Sequence, residues 1–359
     1  MLTARRFWLG LAVSAVFLFL FLWRVDFQEV RGELGDGGKY LYLGPAVLLY
    51  FFALGIRCLR WRYLLLHLKP VSPLGLYPIV AIGYMANNLL PIRLGELVRA
   101  HFLGEKEGIS KASGLATIGV ERMMDGLTLL LLVGIVWPFL PWTEVLRDDA
   151  GNVKSWWLVL SILVILSFLG GFAALVLLAL RPQLGNALVR RVAGLLPPAF
   201  QETAARLGLQ LMDGLVALRS PRKLLIMCIL SAPVWLVEVL VYYVMALAFD
   251  LGLPFQVILL VTATSNLATA VPSSIGGIGP FEVVAKSTLL AFAVGGDVAT
   301  AYVFFVHIIT LWLPVSLLGL AFLWRENLSL TRLARSRELS VSSAGGLGTD
   351  SMSGEGEAR

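Results

Sequence analysis

Charge is scarce in this sequence: 14% of its 359 residues are Asp, Glu, Lys or Arg, against about 25% in an average soluble domain. Hydrophobic residues make up 58%. A soluble protein this apolar could not cover its surface with polar groups, so the excess must face lipid. Histidine is scarcer still, with three residues and no cluster at metal-ligand spacing, so no metal is expected. The two cysteines, Cys58 and Cys228, lie in or beside apolar runs and form no Cys-x-x-Cys pair, which leaves a disulfide framework unsupported. No Gly-x-x-x-x-Gly-Lys-Ser/Thr phosphate loop or other cofactor motif occurs, which argues against ATP hydrolysis within the chain. No polar stretch reaches the ~50 residues of a small domain, so no soluble catalytic domain is expected. The net charge of +6 has no long basic run with interleaved aromatics, which argues against nucleic acid as a partner.

What the chain does have is long apolar runs. A helix needs about 20 apolar residues to cross the hydrocarbon core. Six segments qualify: 7–23, 39–56, 124–141, 156–180, 223–249 and 299–324. The first follows Arg5 and Arg6, and no small-x-small cleavage site follows it, so it reads as a retained signal anchor. Two further apolar stretches, 75–100 and 255–295, hold too many breakers and charges for a lipid-facing helix. Non-helical backbone survives at membrane depth only where protein or a wet cavity satisfies it. Both are therefore expected to be re-entrant hairpins or broken helices.

Basic residues fix an expected orientation. With the N-terminus in the cytoplasm, 23 of the 29 Lys and Arg fall on the cytoplasmic side and five outside, as the positive-inside rule requires. Lys286 remains, inside the second hairpin. The asymmetry holds only if both polar stretches return to the side they started from. The expected fold is thus an all-α polytopic membrane protein, with six full crossings and two hairpins in an inverted repeat. Its transmembrane domain covers 1–325, in halves 1–150 and 156–325, and 326–359 is a largely disordered cytoplasmic tail. The order Asn, Pro, Gly, Glu recurs in the two hairpins, as Asn88, Pro91, Gly95, Glu96 and as Asn266, Pro272, Gly279, Glu282. Inverted repeats with broken helices are a transporter arrangement. In the basic loop 181–222, Leu184, Leu188, Val192 and Leu195 suit one helical face and Leu207, Leu211 and Leu215 another, as in helices lying on a leaflet.

Ionisable groups inside such segments need a reason, because each costs at least about 2.5–3.5 kcal/mol to insert. Glu238 lies mid-run in 223–249 and reads either as a proton or head-group site or as the partner of an arginine. Arg93, Glu96 and Arg99, at i, i+3 and i+6, share one face. Two guanidiniums there suit a phosphate, with Glu96 pairing one of them in the empty site. Asn87 and Asn88 lie beside them. Glu121, Arg122 and Asp125 open the third crossing; their acids either reach Arg93 or Arg99 or anchor the helix start at the interface. In the second hairpin Gly276, Gly277 and Gly279 permit a tight turn with amides turned to an anion. Asn266 precedes them, and Glu282 and Lys286 are spaced to pair. His307, in the last crossing, reads as a bundle hydrogen bond or a relay.

The blocks GYMANNLLPIRLGELVRAHFLG, ATIGVERMMDGL and VPSSIGGIGPFEVV resemble the transmembrane domain of the lysylphosphatidylglycerol synthase/flippase family, and the resemblance covers about 10–325. It implies a role in moving lipid between leaflets. Arg93, Glu96, Arg99, Glu121, Arg122, Asp125, Gly276, Gly277, Gly279 and Glu282 match the family's blocks. Full-length synthases carry a further C-terminal cytosolic domain; the expectation here is a stand-alone flippase-like member. The function expected is therefore a translocase for a phospholipid or polyprenyl-phosphate lipid in the cytoplasmic membrane, with both termini cytoplasmic and rocking of one half against the other alternating access. Alternatives are a membrane-embedded lipid-modifying transferase and a scaffold for a partner enzyme of the cell envelope. Membrane lipids are the expected partners, and a homo-oligomer is compatible with the sequence.

Overall fold

The computed structural model describes residues 38–90, 94–139, 155–269 and 276–325. The expected span 7–23, Arg93, the loop 142–154, the 270–275 part of the second hairpin and the tail 326–359 lie outside them. Among the described residues all regular structure is helical. The helices are α1 (Lys39–Leu65), α2 (Pro73–Leu89), α3 (Gly95–Glu107), α4 (Lys111–Val136), α5 (Ser155–Leu180), α6 (Pro182–Gly194), α7 (Pro198–Gly214), α8 (Pro221–Ala248), α9 (Phe255–Ala268), α10 (Pro280–Ala291) and α11 (Gly296–Phe304). α11 continues through a π-helical turn, Phe305–Trp312, and on as α-helix to Arg325.

Among the described residues three helices are long and apolar enough to cross a membrane: Tyr40–Leu65, Arg222–Ala248 and Gly296–Arg325. On α8 the apolar side chains Leu225, Ile229, Leu236, Leu240 and Leu247 stay exposed. Their spacing of four and seven draws one stripe along the helix. In water such a stripe would be driven inward; against acyl chains it is the stable surface. The opposite face, with Trp235, Glu238 and Tyr242, is buried.

Two sequence boundaries are corrected. The second span does not stop at residue 56, because α1 runs on to Leu65 and carries Arg57 and Arg60 inside the bundle, both buried. Nor does the third begin at 124: α4 starts at Lys111, so Glu121, Arg122 and Asp125 sit mid-helix rather than at an interfacial start. Four of the arginines assigned to the cytoplasmic side, Arg57, Arg60, Arg99 and Arg122, are therefore bundle residues, which leaves 19 against five. The asymmetry survives.

A long helix, a helical hairpin and a second long helix occur in that order twice, as α1, α2/α3, α4 and as α8, α9/α10, α11. The hairpin arms have 12 to 17 residues and rise about 18–26 Å, short of the ~30 Å hydrocarbon core. The outer ends of the first hairpin are held together at the C-terminal end of α1. There Lys69 Nζ donates to the Glu107 carbonyl at 2.8 Å and to its carboxylate at 3.0 Å, and Arg62 Nε donates to the Val71 carbonyl at 3.1 Å. The second hairpin starts beside the C-terminal end of α8, and α11, which follows it, passes that end again. Tyr243 meets Phe255 at 5.6 Å between ring centroids, and Phe249 meets Tyr302 at 5.9 Å. α1 and α8 pack antiparallel, since Arg57 meets Glu238 and Arg60 meets Ser231.

The segment 181–222 forms α6, α7 and a short 3-10 turn. The chain bends by 104° from α5 into α6. α7 packs on the start of α4, where Ser113 Oγ donates to the Gln210 carbonyl at 2.8 Å. α6 leaves Leu184, Leu188, Val192 and Leu195 exposed, the face of a helix lying in an interface.

Candidate functional site

The site begins with α1. Arg57 and Arg60, three residues apart, face the bundle, and neither is tolerable there without a carboxylate. α8 and α4 supply three. Glu238 receives Arg57. Asp125 receives Arg60 Nη1 at 2.6 Å, and Glu121 receives Arg60 Nη2 at 3.2 Å. Ser231 Oγ accepts from the same Nη1 at 3.0 Å, and Trp235 Nε1 donates to Asp125 at 3.1 Å. From the first hairpin, Arg99 Nη2 donates to Glu121 at 2.8 Å, its guanidinium 4.2 Å above the Trp61 ring. Arg122 closes the network on Glu121 at 3.0 Å and Asp125 at 3.5 Å. Four guanidiniums meet three carboxylates, so one positive charge is in excess. Arg122 carries it toward open space: its side chain is 27% exposed, while Arg60 and Arg99 are at 3% or less.

That open space is a cavity of about 420 Å³ bounded by both hairpins. Arg57, Arg122, Asn87, Asn266, His307 and Trp312 are on its wall. The hairpins touch there. The Gly276 N–H donates to the Asn87 carbonyl at 3.2 Å, and Asn88 Nδ2 donates to the Trp312 carbonyl at 3.2 Å and Ser316 Oγ at 3.1 Å. Gly276, Gly277 and Gly279 have φ of +59°, +81° and +103°, a region L side chains rarely adopt. A Cβ on Gly276 would also stand 2.6 Å from Trp312 Nε1.

The residues singled out from sequence are placed as follows. Glu121 is Arg99's partner, and Glu238 is Arg57's. Arg99 is locked behind the cavity wall rather than on it, because the bond to Glu121 uses its charge. Glu96 accepts Asn87 Nδ2 at 3.2 Å and pairs no arginine among the described residues, while Asn87 Oδ1 accepts the Gly95 N–H at 2.7 Å. Asn266 Nδ2 donates to Tyr242 Oη at 2.9 Å. Glu282 does not pair with Lys286. Its Oε1 is 2.6 Å from His307 Nδ1, and its Oε2 accepts the Gly279 N–H at 2.7 Å. Capping the Gly279 amide turns the carboxylate toward the start of α10, away from Lys286 one turn on, and Lys286 makes no ion pair among the described residues. Arg57, Arg60, Trp235 and Trp312 were not foreseen. The signal for the first two was that apolar residues resume between and after them, in Cys58, Leu59, Trp61, Tyr63, Leu64 and Leu65, and an isolated Glu238 in need of a cation.

Residues 7–319 match the family model described as "Lysylphosphatidylglycerol synthase TM region". The chain belongs to that family. Its members are membrane proteins, and with its apolar helices the chain is a multi-pass one. A Haloferax volcanii protein named glycosyltransferase AglD is 27% identical over 309 residues, covering 79% of this chain and 48% of that protein. The chain thus spans about half the length of this curated relative. Two Methanothermobacter thermautotrophicus proteins, each named UPF0104 membrane protein, are 25% and 23% identical. Those alignments cover 87% and 81% of this chain and 91% and 88% of theirs. No solved structure matches the chain.

Proposed function

We propose that the protein is a lipid translocase that passes the phosphate-bearing head group of a phospholipid or polyprenyl-phosphate lipid through the cavity while the tails stay in the bilayer. The observation that carries this is the cavity where the two hairpins meet, with the unbalanced guanidinium of Arg122 on its wall. A guanidinium fork suits a phosphate, and the second amide hydrogen of Asn87 adds a donor on the same wall. Arg122 and Arg57 take the phosphate-binding role among the described residues.

The antiparallel α1–α8 pair, with one hairpin at the C-terminal end of each, supports hairpins entering from opposite faces of the cytoplasmic membrane. This is the inverted repeat of the sequence reading, with six crossings once 7–23 is included. The basic α6–α7 segment lies at the C-terminal end of α1, which supports a cytoplasmic position for that end and for both termini.

Purified protein in liposomes should exchange acyl-labelled phosphatidylglycerol between leaflets, and Arg122→Ala should slow the exchange at least ~10-fold, about 1.4 kcal/mol of lost phosphate contact. Exchange no faster than in empty liposomes would sink the reading. The similarity to a protein named a glycosyltransferase favours one second reading, a lipid-modifying transferase. Turnover of a lipid-linked sugar donor without lipid movement would establish that instead.

A further inference from the structure

Away from the arginine network a second ionisable pair adjoins the cavity, with its histidine on the wall. Glu282 joins two elements: Oε2 holds the Gly279 amide at the start of α10, and Oε1 meets His307 Nδ1 on α11 at 2.6 Å. The imidazole is stacked on Phe281, 3.9 Å between centroids. It sits in the π-helical turn Phe305–Trp312, a winding that is rare and concentrated at functional sites. With the carboxylate ionised, Nδ1 carries the hydrogen of the neutral ring and Nε2 is left with a lone pair. Nε2 has no partner among the described residues, and the ring is on the cavity wall.

The other titratable groups around the cavity are engaged. Arg57 holds Glu238, and Arg122 holds Glu121, Asp125 and the Tyr84 hydroxyl. Glu96 accepts from Asn87, Tyr242 from Asn266, and Tyr302 donates to the Tyr242 carbonyl. Tyr50 is buried on the α1 wall. The four arginines exceed the network's own three carboxylates by one, Glu96 on the cavity wall offsets that excess, and Lys286 and Glu282 cancel, so the described bundle is neutral as a whole. Protonation of His307 alone therefore tips the balance to +1. Imidazole is the side chain that ordinarily changes charge between pH 5 and 8.

We propose that His307, positioned by Glu282, binds a proton that travels with the lipid head group, so that translocation is proton-coupled. The inference rests on the translocase reading. A proton from cavity water adds to Nε2. The new charge is neutralised by a singly anionic phosphate held by Arg122. On the opposite side the head group and the proton leave together, the proton to water, and the lone pair returns. One proton accompanies one negative charge, so the step is electroneutral and a membrane potential does not drive it. A pH difference of one unit is worth about 1.4 kcal/mol per proton, enough to sustain a ~10-fold lipid asymmetry.

The test uses the whole protein in phosphatidylcholine liposomes doped with acyl-labelled phosphatidylglycerol, under a one-unit pH gradient and a potential clamped at zero. Dithionite bleaching reads the leaflet distribution, and protein-free liposomes set the background. The expected result is a ~10-fold excess in the leaflet facing the alkaline side, lost on adding a protonophore and absent for His307→Gln. An even distribution with wild-type protein that does exchange the probe overturns proton coupling and leaves the translocase intact. An excess that persists in His307→Gln removes His307 from the role. No exchange by wild-type protein defeats the translocase reading and this inference with it.

Discussion

Breaking the Arg57–Glu238 pair on one side should destabilise the protein far more than removing both partners. The two side chains are 4% and 5% exposed. Arg57→Met leaves Glu238 in the bundle without its cation, and Glu238→Leu leaves Arg57 without its anion. An uncompensated buried charge of this kind costs ~3–5 kcal/mol. The double substitution removes both desolvation penalties. It also places methionine where the guanidinium lay 5.0 Å over Trp235 and 5.7 Å from the Tyr84 centroid, an apolar setting. Replacing a whole buried pair with apolar groups is often neutral or stabilising. The double variant should therefore lie within ~1 kcal/mol of wild type, a coupling energy of at least ~5 kcal/mol. Unfolding in mixed micelles, followed by tryptophan fluorescence, gives the four stabilities. If the single losses simply add in the double variant, the pair is not the unit described here. Lipid exchange measured on the same four proteins separates roles: a purely structural pair would restore exchange along with stability, whereas Arg57 as a phosphate ligand keeps exchange low in the double variant.

Gly276→Ala should lose at least ~1–2 kcal/mol from the left-handed backbone alone, with the Cβ contact at Trp312 added, and should slow exchange; unchanged melting and exchange would refute the hairpin contact. In the first hairpin, Gly95→Ala places a Cβ 2.1 Å from the Gly83 carbonyl oxygen, and overpacking of that kind costs ~1–3 kcal/mol. A thermal melt within error of wild type would contradict the close approach of α2 and α3. For orientation, a cysteine introduced by Glu202→Cys on exposed α7 should react with membrane-impermeant maleimide only from the cytoplasmic side, and labelling from outside would reverse the topology.

Local signals made the hairpins legible. Pro91, Gly95 and Glu96 in one apolar stretch and three glycines in another cannot belong to a lipid-facing helix, whatever surrounds them. The glycine turn has the positive φ values its composition implied. The arginine network was less legible because its bonds join residues as much as 181 apart in sequence. A span read from hydropathy stops at the first arginine, so Arg57 and Arg60 passed for loop residues. Only the packing of α8 and α4, which bring Glu238, Asp125 and Glu121 to them, makes it favourable for α1 to carry them inside. Glu282 illustrates the same limit in miniature: i, i+4 spacing favours Lys286, yet a residue on α11 takes the carboxylate.

The network also decides what can move. Rocking one half of the bundle against the other would separate α1 and α4 from α8. That means breaking Arg57–Glu238 and the bonds from Arg60 to Ser231 and from Trp235 to Asp125. The ion pair alone would cost ~3–5 kcal/mol. Among the described residues the hairpins are held near their tips by less: Gly276 to Asn87, and Asn88 to Trp312 and Ser316. At ~1 kcal/mol for each such neutral bond, opening at the tips is the easier motion. Access would then alternate by shifts of the hairpins around a welded α1–α4–α8 frame. Thiol accessibility tests this in a Cys228→Ser background, read peptide by peptide by mass spectrometry during lipid exchange. Ser231→Cys, fully buried in the frame, should stay unmodified, while Leu267→Cys on the cavity wall should react at a rate that changes with added lipid. Modification at position 231 that rises with turnover would mean that the frame opens, and the rocking mechanism would replace this one.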